Sequence, residues 1–160
     1  MIIAFFGHSK YIEKETDEKK LADFLKTRVG DTPCEFFLGG YGSFDNFCCH
    51  ITRKFKEEHE GAKRIFITPY NRDEYLERRS AELWDFDEII YPELENVPPK
   101  FAISRRNRWM VKRADLIIVY VNHKYGGAYQ AYKYAMSLGK EIFNLYYSID
   151  LGFKLFSRRF

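Results

Sequence analysis

The run LIIVYV at 116–121 is six consecutive β-branched, aliphatic or aromatic residues with no polar interruption. Such a segment reads as the most buried strand of a sheet covered on both faces. Shorter runs of strand formers occur at 2–6, 35–38, 64–68 and 141–146, with a weaker one at 88–91. Between them apolar residues return at helical spacing: Leu21, Phe24, Leu25 and Val29, then Phe44, Phe47, Cys48, Ile51 and Phe55. Phe101, Ile103, Met110 and Val111 repeat the pattern, as do Ala128, Ala131, Tyr132, Ala135 and Met136. A further short helix is expected over 74–83. Thr16 and Ser43 stand where N-caps belong, and Gly30 and Gly139 end two of the helices. Strands separated by helices require right-handed crossovers and therefore a mainly parallel sheet. The expected fold is α/β and Rossmann-like, with helices on both faces and a single domain over 1–160.

The 160 residues are 46 % hydrophobic and 18 % aromatic, ample for one core, while 31 % are charged. No apolar run approaches the ~20 residues of a membrane span. MIIAFFGHSK at the N-terminus has none of the regions of a signal peptide. The three cysteines, Cys34, Cys48 and Cys49, show no CxxC spacing, which argues against a disulfide framework or a zinc site. Together these features imply a cytoplasmic protein without membrane or metal. A net charge of +3 is too mild to identify a nucleic-acid partner.

In an open parallel sheet, ligands bind beyond the carboxyl ends of the strands, where strand order reverses. GGYGSFD at 39–45 is the most informative loop there. Gly39, Gly40 and Gly42 let backbone N–H groups approach a ligand, and Ser43 adds a hydroxyl at a helix N-terminus, where an anion is favoured. The pattern fits phosphate or nucleotide binding; a tight strand-to-helix turn is the plain alternative. Asp45 either caps locally or meets a ribose hydroxyl or base. Gly126 and Gly127 repeat the arrangement after 116–121, so that two helix N-termini could converge on one ligand. His8 follows the first strand and reaches the same crevice.

Residues 73–95 are mostly acidic, whereas 100–113 carry Lys100, Arg105, Arg106, Arg108, Lys112 and Arg113 with no acid among them. Most of this basic helix is a solvated face, but one arginine turned toward the sheet would neutralise a phosphate. Glu93 and Glu95 are the carboxylates available for N-glycosidic chemistry, which needs a nucleophile or a stabiliser of an oxocarbenium-like centre.

The segments FFGH (5–8), FFLGGYGSFD (36–45), IYPELE (90–95), FAISRRNRWMVKRADLIIVYV (101–121), GGAYQAYKYA (126–135) and GKEIFNL (139–145) together resemble the SLOG superfamily. These are Rossmann-like domains shared by DNA-processing protein A and the Lonely Guy phosphoribohydrolases, and the likeness is greatest to small stand-alone members from Firmicutes. The resemblance implies recognition of nucleotides or nucleotide-derived ligands, NAD-related molecules among them. It places Gly39, Gly40 and Gly42 in the first nucleotide loop. It sets Arg106 at the arginine preceding a methionine, here Met110, and Gly127 at the last glycine of PGGxGTxxE. Ala128 and Ala131 replace the threonine and the catalytic glutamate of that motif, which speaks against its hydrolase activity.

The expected function is therefore binding of a phosphate-bearing nucleotide by Gly39, Gly40, Gly42, Ser43, Asp45, Arg106, Gly126, Gly127 and His8, in a protein that dimerises. An N-glycosidase using Glu93 or Glu95 is the alternative, and a nucleic-acid-binding accessory the third option. The basic, aromatic tail FKLFSRRF at 153–160 is expected to cover the fold.

Overall fold

A computed structural model describes residues 1–147; the tail at 153–160 lies outside them. Six parallel strands, β1 (Ile2–Gly7), β2 (Cys34–Leu38), β3 (Ala62–Ile67), β4 (Glu88–Ile90), β5 (Leu116–Tyr120) and β6 (Glu141–Asn144), form one sheet in the order β4-β3-β2-β1-β5-β6. The helices are α1 (Asp17–Val29), α2 (Ser43–Glu58), the short α3 (Asp73–Arg78) and α4 (Ser80–Leu83), α5 (Pro99–Arg113) and α6 (Gly126–Ser137). The expected α/β architecture is what the chain adopts.

Alternation along the strands divides the interior into two cores. Ile3, Phe5, Phe36, Leu38, Leu116 and Ile118 point to one face, where Leu21 and Leu25 of α1 and Phe44, Ile51 and Phe55 of α2 cover them. Ala4, Phe6, Phe37, Ile117 and Val119 point to the other, beneath Met110 and Val111 of α5 and Ala128, Ala131 and Ala135 of α6. All five residues of β5 are buried, which accounts for the unbroken apolar run. Register is carried by β1, between β2 and β5: Ile3 lies opposite Phe36 on one side and Leu116 on the other.

Several local expectations are corrected. Neither Thr16 nor Ser43 caps its helix through the side chain. The entry to α1 is held instead by Asp17 Oδ2, which accepts from Tyr11 Oη at 2.7 Å and from the Lys14 N–H at 3.1 Å. The expected helix over 74–83 is broken at Arg79 into α3 and α4, and Arg79 Nη2 donates to the Gly40 carbonyl at 2.6 Å. The last strand stops at Asn144 because that side chain takes over the hydrogen bonding. Its Oδ1 accepts from the N–H groups of Val121 and Tyr146, its Nδ2 donates to the Val121 carbonyl, and a 3₁₀ turn, Leu145–Tyr147, follows. In the acidic stretch, Asp85 accepts from the fully buried Arg64 at 2.6 Å, and Asp87 accepts from the Arg64 N–H at 2.7 Å.

Candidate functional site

The chain runs from β1 outward to β2, β3 and β4, then returns to place β5 and β6 on the other side of β1. Strand order thus reverses between β1 and β5, and the loops leaving their carboxyl ends part there. A crevice of about 620 Å³ occupies this position, bordered by His8 after β1, Gly39 after β2, His123 after β5, Arg106 of α5 and Gly126–Gly127 of α6.

Arg106 is the arginine that turns inward from the basic helix. It is 2 % exposed. Its Nη1 donates to the carbonyls of Gly39 and Ile67, both at 2.9 Å, and its Nε donates to Asn107 Oδ1 at 3.0 Å. Nη2 has no hydrogen-bond partner among the described residues, and no carboxylate there forms an ion pair with the guanidinium. Burial pulls its pKa down, opposed chiefly by the charge of Asp45.

Asp45 is buried on the first turn of α2 and borders the crevice. One oxygen accepts from the Tyr41 N–H at 2.6 Å, so the local-cap reading of this residue describes half of its carboxylate. Burial raises its pKa to about 6, against the opposing pull of that hydrogen bond and of Arg106 and Arg79.

The glycine loop divides. Gly39 borders the crevice, its carbonyl engaged by Arg106. Gly40 and Gly42 do not border it; both have positive φ, +64° and +92°, and serve the turn. A Cβ at Gly40 would sit 2.6 Å from Arg79 Nη2 and 2.8 Å from Phe66. Ser43 is also outside the crevice, lining a smaller open cavity of about 390 Å³. Its hydroxyl lies 2.9 Å from the Ser9 carbonyl and 2.8 Å from that of Tyr11, and its N–H donates to Ser9 as well. The Ser43 hydroxyl and N–H at the head of α2 are thus taken up by the β1–α1 loop. Of the two helix N-termini expected to converge, the one whose first two residues border the crevice is that of α6. A Cβ at either Gly126 or Gly127 would meet nothing within 4 Å, so the approach to its first-turn N–H groups is open.

His8 is 9 % exposed and accepts from the Asn122 N–H at Nε2, 3.2 Å away. Burial, then the neighbouring His123, lowers its pKa and keeps the ring neutral. His123 stacks on it with ring centroids 3.4 Å apart, and Tyr125 stacks on His123 at 3.8 Å. Sequence reasoning missed His123 and Tyr125, because only the fold brings the loop after β5 against the loop after β1. Glu93 and Glu95 are exposed and line neither cavity, so the acids named for glycosidic chemistry stand away from the crevice; the carboxylate bordering it is Asp45. Ala131, at the glutamate position of the hydrolase motif, is 3 % exposed and packs in the core beneath α6.

A six-stranded parallel sheet flanked by helices, with a crevice at the β1/β5 reversal, defines a Rossmann-like α/β protein. No family model and no curated protein match the sequence. Solved structures do. DNA processing protein A from Streptococcus pneumoniae superposes with a TM-score of 0.61 at 15 % identity, over 89 % of this chain and 49 % of that one. The same protein from Helicobacter pylori, described for its single-stranded DNA binding mode, gives 0.61 at 14 % identity, over 89 % and 63 %. The protein TM1055 gives 0.52 at 14 % identity, over 88 % and 71 %. The likeness is one of fold, in accord with the SLOG resemblance of the sequence. The chain spans about half the length of the pneumococcal protein it matches. Among the described residues no helix is long and apolar enough to cross a membrane.

Proposed function

We propose that this protein binds a phosphate-bearing nucleotide or nucleotide-derived ligand in the crevice between β1 and β5. The observation that carries the reading is Arg106. A guanidinium this deeply buried without an ion-pair partner is costly, and an anion reaching Nη2 would relieve that cost. The open N–H groups of Gly126–Gly127 at the head of α6 favour the same charge. Asp45 faces the ribose in this arrangement, and Gly39 lets the backbone wall come close.

The test is thermal unfolding with AMP, ADP, ATP, NAD, ADP-ribose and deoxynucleotides. A ligand at 100 times its Kd adds about 2.7 kcal/mol of stability, an easily read shift. Stabilisation by a phosphate-bearing member, lost in Arg106→Met, is the expected result. A flat response to every member would overturn the reading.

A second reading, single-stranded nucleic acid as partner, is favoured by two features. One neighbour of similar fold is described for single-stranded DNA binding, and α5 carries Lys100, Arg105, Arg108 and Lys112 away from the core. It predicts retention on single-stranded DNA that falls steeply with salt. Absence of retention at low salt would remove it.

A further inference from the structure

Phosphate recognition leaves the rings that border the crevice unexplained. Three of them, from the loops after β1 and β5, stand in a row. His8 and His123 are stacked with 16° between their planes, and His123 and Tyr125 with 19°. Two partners at stacking distance must occupy opposite faces of the His123 ring, so Tyr125 ends the row. Tyr125 is 70 % exposed. Its hydroxyl has no hydrogen-bond partner among the described residues, and its ring has no ring partner among them other than His123, which leaves the face turned away from His123 without one. An exposed tyrosine ring, backed by two stacked imidazoles and bordering a buried polar crevice, is a surface made for another flat ring.

Its place in the chain adds the second argument. Tyr125 immediately precedes Gly126 and Gly127, the residues that open the N-terminus of α6. Two residues of chain span at most about 7 Å, comparable to the ribose that separates a base from its 5′-phosphate. The innermost ring is an acceptor: His8 takes a backbone hydrogen bond from the Asn122 N–H at Nε2, and burial lowers its pKa. The row presents flat ring faces, with Tyr125 outermost.

We propose that the row His8–His123–Tyr125 is the base-recognition end of the crevice. A planar nucleobase lies on the free face of Tyr125 while its 5′-phosphate reaches Arg106 and the head of α6. The inference rests on the phosphate reading above and narrows the ligand to one carrying a heteroaromatic base, against sugar phosphates and inorganic phosphate.

The probe is 2-aminopurine riboside 5′-monophosphate, whose fluorescence is quenched when its base stacks; ribose 5-phosphate and inorganic phosphate are the base-free competitors. Quenching on binding is expected, with ribose 5-phosphate roughly tenfold or more weaker than the probe, the range of a base–aromatic contact. Tyr125→Ala should lose the quenching and that same factor in affinity while leaving ribose 5-phosphate binding unchanged; Tyr125→Phe should keep both. Binding of the probe without quenching, equal affinity for probe and ribose 5-phosphate, or an unaltered Tyr125→Ala variant would overturn the base site while leaving the phosphate site standing. Failure of the probe and both base-free phosphates to bind the unmodified protein would defeat the phosphate reading and this one with it.

Discussion

Asp45 and Arg106 are buried beside the same crevice, 6 % and 2 % exposed, yet form no ion pair. Each instead spends hydrogen bonds on backbone, Asp45 on the Tyr41 N–H and Arg106 on the Gly39 and Ile67 carbonyls. The two charges feel one another without neutralising one another, as the shifts of both groups record. That separation leaves Arg106 Nη2 without a hydrogen-bond partner among the described residues and Asp45 with its pKa raised to about 6.

Arg106→Met should lower stability by about 1–3 kcal/mol, because each carbonyl left without its donor costs that order, and relief of the buried charge offsets part of it. The decisive result is the ligand response. Stabilisation by nucleotide in a denaturation series should disappear in the variant, and persistence of the full shift would place the anion elsewhere.

Asp45 makes stability depend on pH in a defined direction. Its folded pKa of about 6 exceeds the ordinary carboxyl value, so the folded protein holds a proton that the unfolded chain has released. The stability it confers is present at acid pH and is lost as pH rises from about 4 through 6, by on the order of 2–3 kcal/mol. His8, with its lowered pKa, acts oppositely, losing stability as pH falls below its ordinary value. The comparison to make is therefore Asp45→Asn against the unmodified protein. Urea denaturation between pH 4 and 7 should show the downward slope only where Asp45 is present, and parallel curves would refute its assignment.

His123 carries a cost of its own: Nδ1 is buried with no hydrogen-bond partner among the described residues. His123→Phe keeps a flat ring between His8 and Tyr125 and removes that unmet group. Stability at pH 7 should hold or rise by up to about 1 kcal/mol. A large loss would mean the nitrogen is satisfied in solution.

Two glycines of the glycine-rich loops should respond in opposite ways. Gly40→Val forces a β-branched residue to φ +64° and drives its Cβ against Arg79 and Phe66, so the fold itself should weaken by several kcal/mol. A loss of binding in that variant would not separate contact from collapse. Gly127→Ala meets open space and gains helix propensity, up to about 1 kcal/mol. The added methyl also stands before the N–H groups of α6, so nucleotide affinity should fall while Tm rises. Tighter or unchanged binding would exclude the head of α6 from the site.

The sequence by itself determined the layering of this protein. The unbroken run at 116–121, the helical spacing of Phe44, Phe47, Ile51 and Phe55, and the stop at Gly139 are local patterns, and periodicity reports which face of an element is buried. It also marked Arg106 as one of a basic series and the glycine-rich loops as candidates. Only the tertiary structure decided which members of those series serve the crevice. Gly39 borders it and Gly40 does not, because the chain turns between them and Arg79 fills the far side. Ser43 was expected at an anion and instead holds the β1–α1 loop, thirty-odd residues away in sequence. The stacking of His8 on His123, and the burial of Asp45 and Arg106 beside one crevice, depend on which loops the strand order β2-β1-β5 brings together. Local composition is read along the chain, but a site of this kind is assembled across it, from contacts that no single segment contains.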